Sequence, residues 1–304
     1  MSPSEGTDIV SQMADRIAVA RDPGRIYDVL RGIDLIFLTA ALVVVAVLGV
    51  AARRRRVPLS FGRAPRLPNR IHEDAIALVV AGYFVGYLVA AGVAQLIWGS
   101  VETLPARMLT ATAAPVAGIV GCLVVAGSRF EHGVAGFLGV GSGSSGRSSA
   151  LLVVVLVVMA LGLCPLVGDG TVMLILRFSP DYPLLTHPTI DALHDPGRSV
   201  PTVVALWISA AVVAPIAEEL FFRGLLQTFL VNLFARRWLA VATASVVFGA
   251  VHFAQPHAIA ALILLGLLLG YAYERTGSLI PAILIHALFN LKTLVWDAIA
   301  PASS

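Results

Sequence analysis

VPTVVALWISAAVVAPIAEELFFRGLLQTFLVNLF, residues Val200–Phe234, is the stretch that decides the fold. A bilayer core takes about 20 apolar residues as a helix, and this run is long enough to cross one. It nevertheless holds Glu218, Glu219 and Arg223 with apolar residues on both sides. On the membrane-insertion scale each such charge near a helix centre costs about 2.5–3.5 kcal/mol, so three facing lipid alone would cost about 8–10 kcal/mol. Charges at that cost call for a compensating role. Glu219 and Arg223 are i,i+4 with the acid first, so they can pair on one helix face. Glu218 lies about 100° further round and lacks this local cation.

The rest of the chain agrees with a membrane setting. Of its 304 residues, 58% are hydrophobic and 13% charged, against about 45–50% and 25% in soluble domains; the mean hydropathy is +0.88. This composition excludes a soluble, disordered or collagen-like protein. Cys122 and Cys164 each sit inside an apolar run and do not form a disulfide framework. The net charge of +3 does not point to nucleic acid, because the arginines cluster beside apolar stretches. The expected fold is all-α: a polytopic transmembrane bundle of about eight spans, at 34–52, 75–98, 108–127, 150–168, Val200–Phe234, 239–254, 258–273 and 279–298.

Arginine sets the expected orientation. Arg53–Arg56, with Arg63, Arg66 and Arg70, makes the first loop cytoplasmic by the positive-inside rule, and Arg236 and Arg237 fall on the same side. The acidic 169–199 loop is then outside and, punctuated by prolines, irregular. The count requires Val200–Phe234 to be one long span, kinked at Pro215; two short segments would invert everything after it. Four regions are expected: a 1–33 extramembrane segment without a signal-peptide core, a 34–199 transmembrane region, a 200–298 core and a 299–304 tail. GSGSSG at 141–146 formally matches a dinucleotide fingerprint, but no strand precedes it, so it reads as a flexible linker. Gly82/Gly86 and Gly266/Gly270 have the spacing that lets membrane helices approach closely. Asp34 and Glu274, at span ends, read as snorkelling or capping residues.

Two further polar pairs stand on helix faces. Phe248 and His252 are i,i+4, as are His286 and Asn290. Counted from the arginine-marked side at 1.5 Å per residue, Glu218 lies roughly 27 Å deep and His252 about 20 Å, with His286 and Asn290 at about 16 and 22 Å. Three helices thus bring Glu218, His252, His286 and Asn290 to comparable depth.

E-E-x-x-x-R at 218–223, F-x-x-x-H at 248–252 and H-x-x-x-N at 286–290, in that order, resemble the motifs of the CPBP intramembrane proteases. That family takes in CAAX prenyl endopeptidases and bacteriocin-processing or immunity proteins. The resemblance covers roughly the last third of the chain. It implies an intramembrane endopeptidase, of glutamate type though formerly described as a metalloprotease, acting on a membrane-proximal peptide, whether CAAX-like or a leader. Glu218 with His252 would activate water, His286 and Asn290 would form the oxyanion hole, and Glu219, Arg223 and Phe248 would support the site. A glutamate and fixed donors shielded from bulk water suit those tasks. No metal or other cofactor is favoured, since H-E-x-x-H is absent; zinc held by Glu218, His252 and His286 remains the alternative. Expected partners are the bilayer and a peptide or protein substrate, with no nucleic acid, and the expected location is the bacterial inner membrane. Two other classes stay open: a non-catalytic scaffold or immunity factor, and a proton-coupled transporter, disfavoured by the lack of internal repeats.

Overall fold

The computed structural model describes residues 23–54, 71–130, 132–139, 146–183, 188–194 and 199–299. Residues 55–70, which carry Arg55, Arg56, Arg63, Arg66 and Arg70, lie outside the described residues, as does 141–145 of the GSGSSG segment. The described chain is helical throughout: α1 Pro23–Arg53, α2 Glu73–Trp98, α3 Leu104–Arg129, α4 Gly133–Leu138, α5 Gly146–Phe178, α6 Pro188–Leu193, α7 Val200–Phe234, α8 Arg237–Ala250, α9 Pro256–Thr276 and α10 Leu279–Ile299. Seven of these are long and apolar enough to cross a membrane. The fold is a polytopic helical bundle, as the composition requires.

Three details differ from the sequence expectation. The predicted sixth span is α8, only 14 residues long. At about 21 Å it is shorter than a bilayer core, and a hydrogen-bonded turn at 251–255 leads straight into α9. The 169–199 loop is less irregular than its prolines suggest, because α5 runs on to Phe178 and α6 forms within it. Gly86 lies where a Cβ would stand 2.5 Å from Ala117 Cβ, whereas Gly82 faces open space, so only half of that pair brings α2 against α3.

α7 is the axis of the bundle. Its Leu220 and Leu225 join Val79 of α2, Cys122 of α3, Phe137 of α4 and Tyr273 of α9 in one apolar cluster. Its Phe222 belongs to a second cluster with Leu156 of α5, Phe248 of α8, Leu269 of α9 and Ile285 of α10. α4 reaches this axis because Gly224 offers no Cβ, which would stand 2.5 Å from the Phe137 ring.

α7 is one continuous helix, but not a regular one. Ser209–Val213 and Leu220–Gln227 are wound as π-helix, on either side of Ala214–Glu219. Proline has no N–H and its ring clashes with the preceding turn, so Pro215 disturbs a regular helix. Here the disturbance is taken up as a widened turn just before it rather than as two separate segments.

α7 and α9 meet along matched rows of residues four apart. Arg223 Nη2 donates to the Gly266 carbonyl at 3.3 Å, and one turn on Gln227 Nε2 donates to the Gly270 carbonyl at 3.2 Å. The constant offset of 43 residues means that the two helices run parallel. The same glycines let α8 approach α9: a Cβ at Gly266 would lie 2.9 Å from Ser245 Cβ of α8, and one at Gly270 2.9 Å from Val241 Cγ1 of α8 and 2.7 Å from Gln227 Oε1 of α7. Glu274 is the next step of the row, accepting from Gln227 Nε2 at 3.0 Å and standing 3.5 Å from Arg237 Nε. Its carboxylate is therefore buried in a network rather than snorkelling. The same contact puts the start of α8 beside the end of α9, so Arg236, Arg237 and Arg275 share one end of this hairpin.

Candidate active site

α7 and α10 bring the central side chains together. Glu219 is fully buried, and its Oε1 accepts from Arg223 Nη1 at 2.9 Å and from His286 Nδ1 at 2.8 Å. The local i,i+4 pair expected from sequence is thus extended by a histidine 67 residues away. Burying a lone charge here would be costly, and the carboxylate–guanidinium pair with its added hydrogen bonds offsets that cost. Glu219 Oε2 has no hydrogen-bond partner among the described residues.

Glu218 points the other way. Its side chain retains 29% of its exposure while the histidine beside it is nearly sealed off, and His286 Nε2 stands 3.8 Å from Glu218 Oε2. His286 therefore lies between two carboxylates, one buried and paired, the other open. Tyr83 of α2 lies within electrostatic range of Glu218.

Phe248 of α8 is fully buried and forms the wall that these groups share. Its ring makes edge contacts with His252 at 5.4 Å and His286 at 5.6 Å between centroids. The Arg223 guanidinium sits 4.6 Å above it. A cation over an aromatic face gains a further electrostatic term. His252 lies at the α8–α9 turn, half-buried, with Nδ1 2.9 Å from the Phe248 carbonyl. A carbonyl can only accept, so this nitrogen carries a proton and Nε2 is the ring nitrogen left open. The Glu219 carboxylate fixes His286 in the same way. Both rings therefore leave Nε2 as the nitrogen open to the site.

Of the seven residues singled out by sequence, Glu218, Glu219, Arg223, Phe248 and His286 are linked by a chain of pairwise contacts through His286 and Arg223, and His252 joins them through Phe248. Asn290 is on the same helix as His286, but its Nδ2 donates to the Ala210 carbonyl of α7 at 2.9 Å. Among the described residues no group of three or more His, Cys, Asp or Glu is gathered as a metal ion requires. The engaged Nδ1 atoms of His252 and His286 leave Nε2 of each ring as the atom a zinc ion would use, but these are not gathered with Glu218 as such a group.

Sequence reasoning missed Gln227 and Glu274, which extend the Glu219–Arg223 row by further turns. The signal was available: Glu219, Arg223 and Gln227 recur every four residues, as do Gly266, Gly270 and Glu274. Asp34 was also underread, for it pairs with Lys292 and accepts from Trp296 Nε1 at 3.0 Å.

Residues 200–292 match the family model described as Rce1-like, type II CAAX prenyl endopeptidase. The match covers just under a third of the chain and contains every site residue taken from sequence. No curated protein and no solved structure gives a match. The segment that carries the candidate site is thus similar to a membrane-protease family, within an integral multi-pass membrane protein.

Proposed function

We propose that the chain is an intramembrane endopeptidase that uses Glu218 as its general base on a membrane-proximal peptide. The observation that carries the reading is the placement of His286 between the open Glu218 and the buried Glu219–Arg223 pair, inside a segment of protease family. Glu218 takes a proton from a water molecule as the water oxygen bonds to the peptide carbonyl carbon. His286 Nε2, 3.8 Å away, receives that proton. The imidazolium so formed supplies the N–H that a tetrahedral oxyanion needs and then returns the proton to the departing amine as the C–N bond breaks. His252 presents a second acceptor across the Phe248 ring. Glu219 and Arg223 hold the orientation of His286. The likeness to a CAAX prenyl endopeptidase family makes a CAAX-type C-terminus the first substrate to try, with a leader peptide the next.

Terminal-peptide proteomics on membranes holding matched amounts of wild type or Glu218→Gln tests this. New peptide ends should appear with wild type and fall by about 10²–10⁴-fold in the variant, the range that general-base catalysis contributes. The same ends in both samples would rule the proposal out, provided both proteins are folded.

A further inference from the structure

The π-helical turn before Glu218 leaves a backbone carbonyl without a partner, and Asn290 is placed on it. The Ala214 N–H donates to the Ser209 carbonyl, five residues back, which is the π register. The next bond in that register would run from residue 215 to the Ala210 carbonyl. Residue 215 is proline and has no N–H to give. The α-register donor for the same carbonyl is the Ala214 N–H, already committed to Ser209. Ala210 is therefore left with a bare acceptor inside a membrane span, where an unpaired backbone group costs several kcal/mol. Asn290 Nδ2 donates to it at 2.9 Å, from α10 across to α7.

We propose that Asn290 is a positioning residue: it clamps the carbonyl orphaned by Pro215, and so holds the π turn whose shape aims Glu218 at His286. The side chain spans the two helices that carry the site. On α10 it lies one turn beyond His286, and on α7 it grips two turns before Glu218. Without the clamp, the widened turn has no partner for Ala210 and the Ala214–Glu219 segment is free to shift in register. The need for asparagine thus arises from a proline 75 residues earlier in the chain. An amide that serves only a reaction intermediate would owe nothing to residue 215. The catalytic consequence rests on the protease reading above; the clamp itself does not.

The test is a double-mutant cycle on the full-length protein in detergent, with Asn290→Leu, Pro215→Ala and the pair. Pro215→Ala restores a backbone N–H that can reach the Ala210 carbonyl, so it should relieve the loss of Asn290. Amide hydrogen exchange of peptides covering 209–218 is read by mass spectrometry, with no substrate needed. Asn290→Leu should speed exchange there by about tenfold, and the double variant should return to near the wild-type rate. Exchange unchanged in Asn290→Leu, or equally fast in the double variant, would overturn the clamp. Should Pro215→Ala fail to accumulate, the single Asn290→Leu measurement decides by the same criterion. The substrate found by terminal-peptide proteomics supplies a second readout: kcat should fall in Asn290→Leu with KM held, and recover in the double variant. Recovery of exchange without recovery of kcat would leave the clamp as scaffolding alone and refute its part in aiming Glu218.

Discussion

The two ends of the chain meet the membrane on different terms. Only 6% of the apolar stretch of α1 and 11% of that of α2 is buried against protein, compared with 44% for α9. The first helices turn side chains such as Leu35, Ile36, Val47, Leu88 and Leu96 outward, and they pack by small residues at a few points, as where Gly162 of α5 meets the Phe37 carbonyl and Gly86 of α2 meets Ala117. The later helices bury Glu219, Arg223, Gln227, Glu274 and His286. Lipid tails are as apolar as leucine, so burial of leucine alone does not hold membrane helices together. The later region uses polar rows and close glycine contacts instead, and among the described residues it alone contains π-helix. Irregular winding and buried charge occur in the same helix because each requires partners from outside it.

The sharpest challenge to this contrast is Arg223→Met. It would leave Glu219 buried without its guanidinium and should cost about 3–5 kcal/mol, enough to prevent accumulation in membranes. The paired change Glu219→Gln with Arg223→Met removes both charges and should restore much of the thermal stability measured in detergent. Wild-type melting of the single variant would mean that the charged row does not hold the later helices.

Glycine gives a milder version of the same comparison. Gly224→Ala drives a methyl group into the buried Phe137 ring and should cost about 1–3 kcal/mol by overpacking. Gly82→Ala on α2 meets nothing within 4 Å. It should be neutral or slightly stabilising, because alanine is the better helix former by about 0.5–1 kcal/mol. Melting temperatures of the two variants side by side would show whether close packing is confined to the core; equal losses would erase the distinction.

What could be read from sequence follows the same division. Length of apolar run fixes a membrane helix without tertiary help, so the helical bundle was legible, and so was the i,i+4 pairing of Glu219 with Arg223. Depth counting brought Glu218, His252, His286 and Asn290 to one level, but depth cannot say which groups touch. The two carboxylates turned out to face opposite environments, and His286 to reach both. Pro215 announced a disturbance, yet whether it appears as a kink, a break or a π turn depends on the helix that receives the freed carbonyl. α8 was overread for a related reason: its apolar stretch continues through 251–254, where the backbone has already turned. Composition does not register the end of a helix whose turn residues are themselves apolar.

The smallest effect bears on whether α1 is peripheral at all. Asp34 lies about three turns into that helix, at the start of the apolar run, and it ties α1 to α10 through Lys292 and the Trp296 ring nitrogen. Lys292 also lies 4.9 Å from the Trp296 ring centroid, so the three side chains form a compact group two residues beyond Asn290. Unlike Glu219, the Asp34 side chain keeps about a third of its surface open. An ion pair with that much access to solvent is worth about 0–1 kcal/mol. Asp34→Asn preserves the acceptor for Trp296 and removes only the charge, so it should lower the melting temperature slightly or not at all. A loss on the scale of Arg223→Met would show that α1 is bound into the core as firmly as α9, and the lipid-facing surface of α1 would then be compatible with a structural role equal to that of the buried rows.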